Sequence, residues 1–153
     1  MSLDPKLDIK NVLLGVTATK NDGATPADIV VIYWNGYEVL RHLFQVNDYD
    51  AVITVEEGQH FASGNQRSIQ GVPLRYTGQY VVHVIAKDDG VIVTAVKLLN
   101  KIRLSIITEI EANAQQPTFS LKIRQDIPRT KRLAGFSPLW QQDHYIEHRS
   151  MVS

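Results

Sequence analysis

The segment Arg75–Lys87 constrains the fold most, because it reads RYTGQYVVHVIAK and alternates along its length. In a strand, successive side chains point to opposite faces of the sheet. One face would carry Tyr80, Val82, Val84 and Ala86, and the other Val81, His83 and Ile85. Both sets are largely apolar, which predicts a central strand buried on both faces.

Four further segments give most of the remaining element order. Apolar residues recur at helical spacing from Thr94 to Ala114, which predicts the clearest helix in the chain. Strict alternation over Phe119–Ile127 predicts a half-buried strand, and Ala51–Val55 and His144–Met151 are further strand candidates. The polar segment Glu56–Gly71 is predicted to be a long exposed loop.

Residues 25–44 fit two structures. Thr25 and Pro26 have the order of a helix start, and the apolar positions that follow recur at spacings of three and four. We therefore expect a helix over Pro26–Phe44. The competing interpretation is a buried strand over Ile29–Trp34 that turns at Asn35–Gly36.

The domain organisation follows from these segments. Asn11–Thr19 is apolar and rich in β-forming residues, so residues 1–24 are predicted to form an N-terminal arm or a first strand. Residues 25–153 are predicted to form a single α+β domain. Its expected architecture is a mostly antiparallel sheet with two helices packed on one face.

Composition argues against several classes of protein. The absence of cysteine excludes disulfide scaffolds and zinc–thiolate sites. Lys plus Arg and Asp plus Glu both total 16, so the basic excess typical of nucleic-acid-binding proteins is missing. Zero net charge also removes the self-repulsion that opposes association. Without a long apolar run, the chain is expected to be soluble and intracellular, with no membrane partner.

A search for catalytic or metal-binding patterns finds none. No GxSxG elbow, HExxH motif or glycine-rich phosphate loop occurs. His144 and His148 are the closest histidine pair, and in a strand they lie too far apart to chelate one ion. We expect them to be surface or edge histidines. The sequence therefore predicts a protein that is not an enzyme and has no cofactor, metal or catalytic residue.

The segment after Arg124 is basic and then aromatic, and it allows three interpretations. Its cations could contact nucleic-acid phosphates, although the neutral chain disfavours that. They could line a solvated loop. Because arginine and tryptophan are enriched at interfaces, we favour a protein interface. The candidate interface residues are Arg129, Lys131, Arg132, Phe136, Leu139 and Trp140.

Taken together, the layout resembles the tail-terminator and head–tail completion proteins of tailed phages and prophages. The resemblance rests on four features over residues 25–127: the expected helix Pro26–Phe44, the strand Gln79–Lys87 after Gly71–Val72–Pro73, the helix Thr94–Ala114 and the strand Phe119–Ile127. It implies a small subunit that closes into a ring, often a hexamer. The loop Glu56–Gly71 and the arm before Asn21 would then contact neighbours.

The function expected from sequence is therefore that of a structural or assembly protein of phage or prophage origin. It would lie in the host cytoplasm or in a virion. It would associate with itself, with a ring as one form, and with other virion proteins. The alternative is a small module that binds nucleic acid or a ligand through the basic segment 124–132.

Overall fold

The computed structural model describes residues 4–20, 23–34, 36–62, 75–88, 92–124, 128–133 and 139–151. The helices are α1 (Pro5–Leu13), α2 (Glu38–Gln45) and α3 (Ile92–Ala112). The strands are β1 (Ile29–Tyr33), β2 (Ala51–Ala62), β3 (Arg75–Lys87), β4 (Phe119–Ile123), β5 (Lys131–Arg132) and β6 (Leu139–Met151). Within these ranges the element order is α1-β1-α2-β2-β3-α3-β4-β5-β6.

The strands form one mixed sheet in the order β1-β2-β3-β6-β4, with β5 also paired to β6. β1 runs parallel to β2, and every other pair is antiparallel. β3 pairs with β6 from Arg75 opposite Met151 to Lys87 opposite Leu139. The fold is thus α+β with a mostly antiparallel sheet, and β3 is its central strand, as the sequence predicts.

Both faces of the sheet carry an apolar core, because β2 and β3 alternate between two sets of buried residues. On one face, Ile53 and Val84 pack with the apolar sides of α1 and α3. On the other, Val52 and Ile85 pack with α2. The prediction that the two expected helices pack on one face of the sheet is therefore not confirmed. The long helix shares its face with α1, whereas α2 lies on the opposite side.

The helix expected over Pro26–Phe44 is wrong in its first half. Ile29–Tyr33 is strand β1, and only Glu38–Gln45 is helical. The sequence IVVIY is rich in β-branched residues, which lose rotamer freedom in a helix and pack well on a sheet. Gly36, with φ of 89°, lies between the two elements, and Asn35 lies outside the described residues.

The first segment also differs from its prediction. Asn11–Thr19 was expected to be a strand or an arm, but the chain begins with the helix Pro5–Leu13. Asp4 caps this helix, since its Oδ1 accepts a hydrogen bond of 3.1 Å from the backbone N–H of Leu7. Pro5 occupies the first turn, where a missing N–H costs nothing.

Several element boundaries move. The strand predicted over Ala51–Val55 continues to Ala62, so the expected loop begins later, and residues 63–74 lie outside the described ranges. β4 ends at Ile123, and the last strand starts at Leu139. None of the helices in the described part of the chain is long and apolar enough to cross a membrane.

Burial along α3 predicts the energetic importance of its inward face. Ile102 is fully buried in the core with α1, whereas Leu104 is 62% exposed. Ile102→Ala should lower the free energy of unfolding by roughly 2–5 kcal/mol, because it removes buried methyl groups and leaves a cavity. Urea denaturation measures the loss. Leu104→Ala is the matched control and should change stability by no more than about 0.5 kcal/mol; equal losses would contradict the orientation of α3.

Candidate functional site

Among the described residues, one helix, α2, packs on the face of the sheet opposite α3, and it covers part of that face. α2 packs over the end that contains Val52 and Ile85. Glu56, His83 and Asp143 lie farther along the same face, one on each of the three adjacent strands β2, β3 and β6. Strand register brings these three residues together, with His83 directly opposite Asp143.

His83 holds the two carboxylates through both of its ring nitrogens. Nδ1 lies 2.6 Å from Oδ1 of Asp143, and Nε2 lies 2.6 Å from Oε2 of Glu56. Gln141 donates to the same Oδ1 of Asp143 at 2.6 Å. A ring that donates from both nitrogens is an imidazolium with no lone pair left to accept a proton. We call these four residues the His83 cluster.

The charges of the His83 cluster stabilise one another. Burial by itself lowers the pKa of His83, but hydrogen bonds to Asp143 and Glu56 outweigh it and raise the pKa overall. Burial likewise raises the pKa of Asp143, but hydrogen bonds from His83 and Gln141 outweigh it and lower that pKa overall. The two opposite shifts agree in describing an ion pair, and the cluster ties β2, β3 and β6 together.

A groove of about 780 Å³ lies next to the His83 cluster, along β6. Its wall contains Arg124 at the end of β4 and the segment from Pro128 to Arg132. Asp143 is shared by the two sites, because it belongs to the His83 cluster and also lines the groove. The other described lining residues from β6 are His144 and Tyr145. We call this site the basic groove.

The basic groove gathers the cations that the sequence singled out. Arg129, Lys131 and Arg132 line it together with Arg124, whose guanidinium lies 5.4 Å from the centre of the Tyr145 ring. The Nζ of Lys131 lies 3.8 Å from Oδ2 of Asp143. Among its described lining residues, the groove thus combines four cationic side chains with one carboxylate that already pairs with His83.

Leu139 and Trp140 are not among the described residues that line the groove, although Arg132 pairs with Trp140 between β5 and β6. Leu139 is buried in the core beneath α2, and Trp140 packs against the core beneath α3. Both residues belong to β6 and not to the expected loop. They enter opposite faces of the sheet because consecutive side chains of a strand alternate. Phe136 lies outside the described residues.

The histidines of β6 are buried, which corrects the expectation that they lie at the surface or an edge. The Nε2 of His148 lies 2.9 Å from Oδ2 of Asp8, and its ring stacks on Phe119 with centroids 5.1 Å apart. His144 is only 4% exposed. Burial, followed by the charge of Arg103, lowers the pKa of His144 to about 4.

Sequence reasoning missed the His83 cluster entirely. Its members are far apart in the chain, and Glu56 was assigned to a loop. The alternation of β3 does place His83 on the face opposite Val82, but only the register of β2 and β6 reveals its partners. Among the described residues, no group of three or more histidines and carboxylates is arranged to hold a metal ion.

Neither any protein-family model nor any curated protein matches the chain.

The His83 cluster predicts a pH-dependent contribution to stability. A histidine whose pKa is raised by folding stabilises fully below its unfolded value of about 6.5, and that contribution is lost as pH rises through the folded pKa. His83→Gln should therefore cost more stability near pH 6 than at about pH 9. Urea denaturation of both proteins at each pH measures the difference.

Wild type and His83→Gln must be compared at each pH because His144 contributes to stability with the opposite pH dependence. Its lowered pKa means that stability falls as pH drops from about 6.5 toward 4. His42→Gln, at an exposed position on α2, is the control for loss of one imidazole. A cost of His83→Gln that is unchanged or larger at the higher pH would contradict the ion-pair assignment.

Proposed function

We propose that this chain is a structural subunit of the kind that completes phage tails, and that it assembles with further copies of itself through the outer edge of β1. The observation that carries the proposal is the outermost position of β1 in the sheet. An edge strand presents unpaired N–H and C=O groups, which form a template for a strand from another chain.

The hydrogen-bond pattern identifies which β1 groups are available. The carbonyl of Asp28 accepts from β2, and the amide of Trp34 donates to Val55 at 3.0 Å. Inward and outward groups alternate along a strand, so Val30 and Ile32 also face β2. The N–H and C=O groups of Ile29, Val31 and Tyr33 therefore point away from the sheet, toward a partner.

β1 itself carries few of the features that usually protect an edge strand, although residues 18–20 pair with residues 25–27 just before it. Lys6 and Lys10 of α1 lie over the ring of Tyr33 at the far end of β1. The β1 sequence, IVVIY, contains no charged residue and no proline, and its pairing with β2 has no bulge. Natural edge strands commonly carry such features, which discourage pairing with another chain. The described part of β2 also extends past the last β1 pair, from Glu56 to Ala62, which gives an incoming strand a longer edge.

A second copy is the partner we propose, for two reasons. The chain has zero net charge, so copies do not repel one another electrostatically. The second reason is the resemblance to tail-completion proteins. Three of the elements on which it rests correspond to parts of β3, α3 and β4, whereas β1 and α2 stand where its opening helix was expected. A closed ring that docks on other virion proteins is the form this resemblance implies.

Light scattering tests the proposal with one backbone donor removed. Val31→Pro deletes an outward N–H but no bond to β2, and proline is tolerated on the outer side of an edge strand. The wild-type chain should give masses above 17.2 kDa that rise with concentration from about 5 to 500 µM and persist at high salt. Val31→Pro should shift the mass toward that of the monomer.

Val31→Thr is the matched control, because it keeps both the N–H and the branched side chain. It should retain the wild-type mass, and thermal melting should show that both variants fold. Equal dissociation of the two variants would contradict pairing through β1. A wild-type monomer at every concentration would contradict self-association and favour the alternative, a binding module that uses residues 124–132.

A further inference from the structure

We propose that the basic groove binds phosphate oxygens, and that His144 donates a hydrogen bond to one of them from Nε2. The ligand is a nucleotide or a nucleic-acid strand, since both present the same phosphate chemistry. Arg129 and Lys131 would hold the phosphate oxygens from the outer side of the groove. This site goes beyond self-association, which neither requires it nor explains it.

The first support is a local excess of positive charge. Arg124, Arg129, Lys131 and Arg132 line one groove of a chain whose net charge is zero. Clustered cations raise the local concentration of anionic ligands and speed their association. Arginine also matches phosphate geometry, because its planar guanidinium donates two parallel hydrogen bonds.

The second support is a buried ring nitrogen that lacks a hydrogen-bond partner among the described residues. His144 is 4% exposed and lines the groove, and its Nε2 has no hydrogen-bond partner among the residues that the structure describes. Buried polar groups in proteins are nearly always bonded, and leaving one unbonded is unfavourable. Because His144 lies on the α3 face of β6, as Trp140 and Ile146 do, a ligand oxygen that reaches the groove from that side would satisfy the nitrogen.

The charges around His144 make it suitable as a neutral donor. Arg103 on α3 and burial favour the uncharged ring, whereas Asp143 beside it favours the charged ring. A neutral imidazole carries one N–H, so His144 can donate from Nε2 at neutral pH without bringing a buried charge. Asp143 is the carboxylate in the described lining, and His83 and Gln141 already occupy its Oδ1.

The size of the groove favours a ligand with more than one anionic group. Its volume of about 780 Å³ lies within the usual range for small-molecule sites, which is roughly 300–1,000 Å³. Four cations exceed what a ligand with a single carboxylate group requires. The ring of Tyr145 is 42% exposed on the same wall and offers a surface on which a base can stack.

The groove and the proposed assembly edge lie at opposite ends of the sheet. The strand order β1-β2-β3-β6-β4 puts β1 at one edge, whereas the groove lies beside β6 between β4 and β5. Loss of ligand binding and loss of self-association are therefore separable results.

Calorimetric titration with inorganic pyrophosphate at constant ionic strength tests the site, with a fluorescent single-stranded oligonucleotide measured by anisotropy in parallel. Arg129→Gln should weaken binding at least about tenfold, because it removes a charged hydrogen-bond donor. His144→Leu keeps a similar volume without the donor and should also weaken binding. Lys97→Gln removes one exposed charge outside the groove lining and should leave the affinity within about twofold.

The outcomes separate the sources of the phosphate. Pyrophosphate binding with this variant pattern supports a nucleotide-type ligand, and oligonucleotide binding alone with the same pattern supports a nucleic-acid strand. No binding of either probe, or equal weakening by Lys97→Gln, overturns the proposal. Long-range ¹⁵N NMR should show the pKa of His144 rising when pyrophosphate binds, and an unchanged Nε2 signal in the complex overturns the role of His144.

Discussion

The structure depends on one constraint, which is that β3 is apolar on both faces. A strand of this kind must be covered on two sides, and the chain does so unequally. α1 and α3 cover one face along its length, whereas α2 covers only one end of the other. Where the second face lacks a helix, the His83 cluster replaces apolar packing with hydrogen-bonded charges that join β2, β3 and β6.

Unequal cover also explains where the molecule can interact. The sheet continues past its helices to a polar region and to two edges of different character. The edge at β1 is apolar and has outward-facing backbone groups, which suits pairing with another strand. The groove beside β6 is lined by cations. It also includes a buried histidine nitrogen that has no hydrogen-bond partner among the described residues, which suits an anionic ligand. The proposed assembly and the proposed ligand binding would thus use separate surfaces.

Elements with an unambiguous period were predictable from sequence, and short ambiguous ones were not. β3 alternates over its whole length, and α3 repeats its apolar stripe over several turns, so each was placed correctly. Ile29, Ile32 and Tyr33 fit a helical stripe as well as a strand, and only pairing with β2 decides between them. The start of α1 at Asp4–Pro5 carried a readable capping signal that the apolar run after it obscured.

The candidate sites were likewise predictable from the sequence only in part. Arg129, Lys131 and Arg132 are neighbours in the chain, so the basic cluster is visible in the sequence itself. The His83 cluster and His144 depend on strand register and on the packing of α3, which no local pattern encodes. Leu139 and Trp140 looked like an exposed apolar patch because the start of β6 is not marked by alternating polarity.

Hydrogen exchange at β1 tests the central claim of assembly through this edge most directly. The amides of Val30 and Ile32 face β2 and should be protected at every concentration. The amides of Val31 and Tyr33 face outward, so they should exchange rapidly in dilute protein and become protected as concentration rises. Rapid exchange of the outward amides under conditions where light scattering shows an oligomer would contradict pairing through β1.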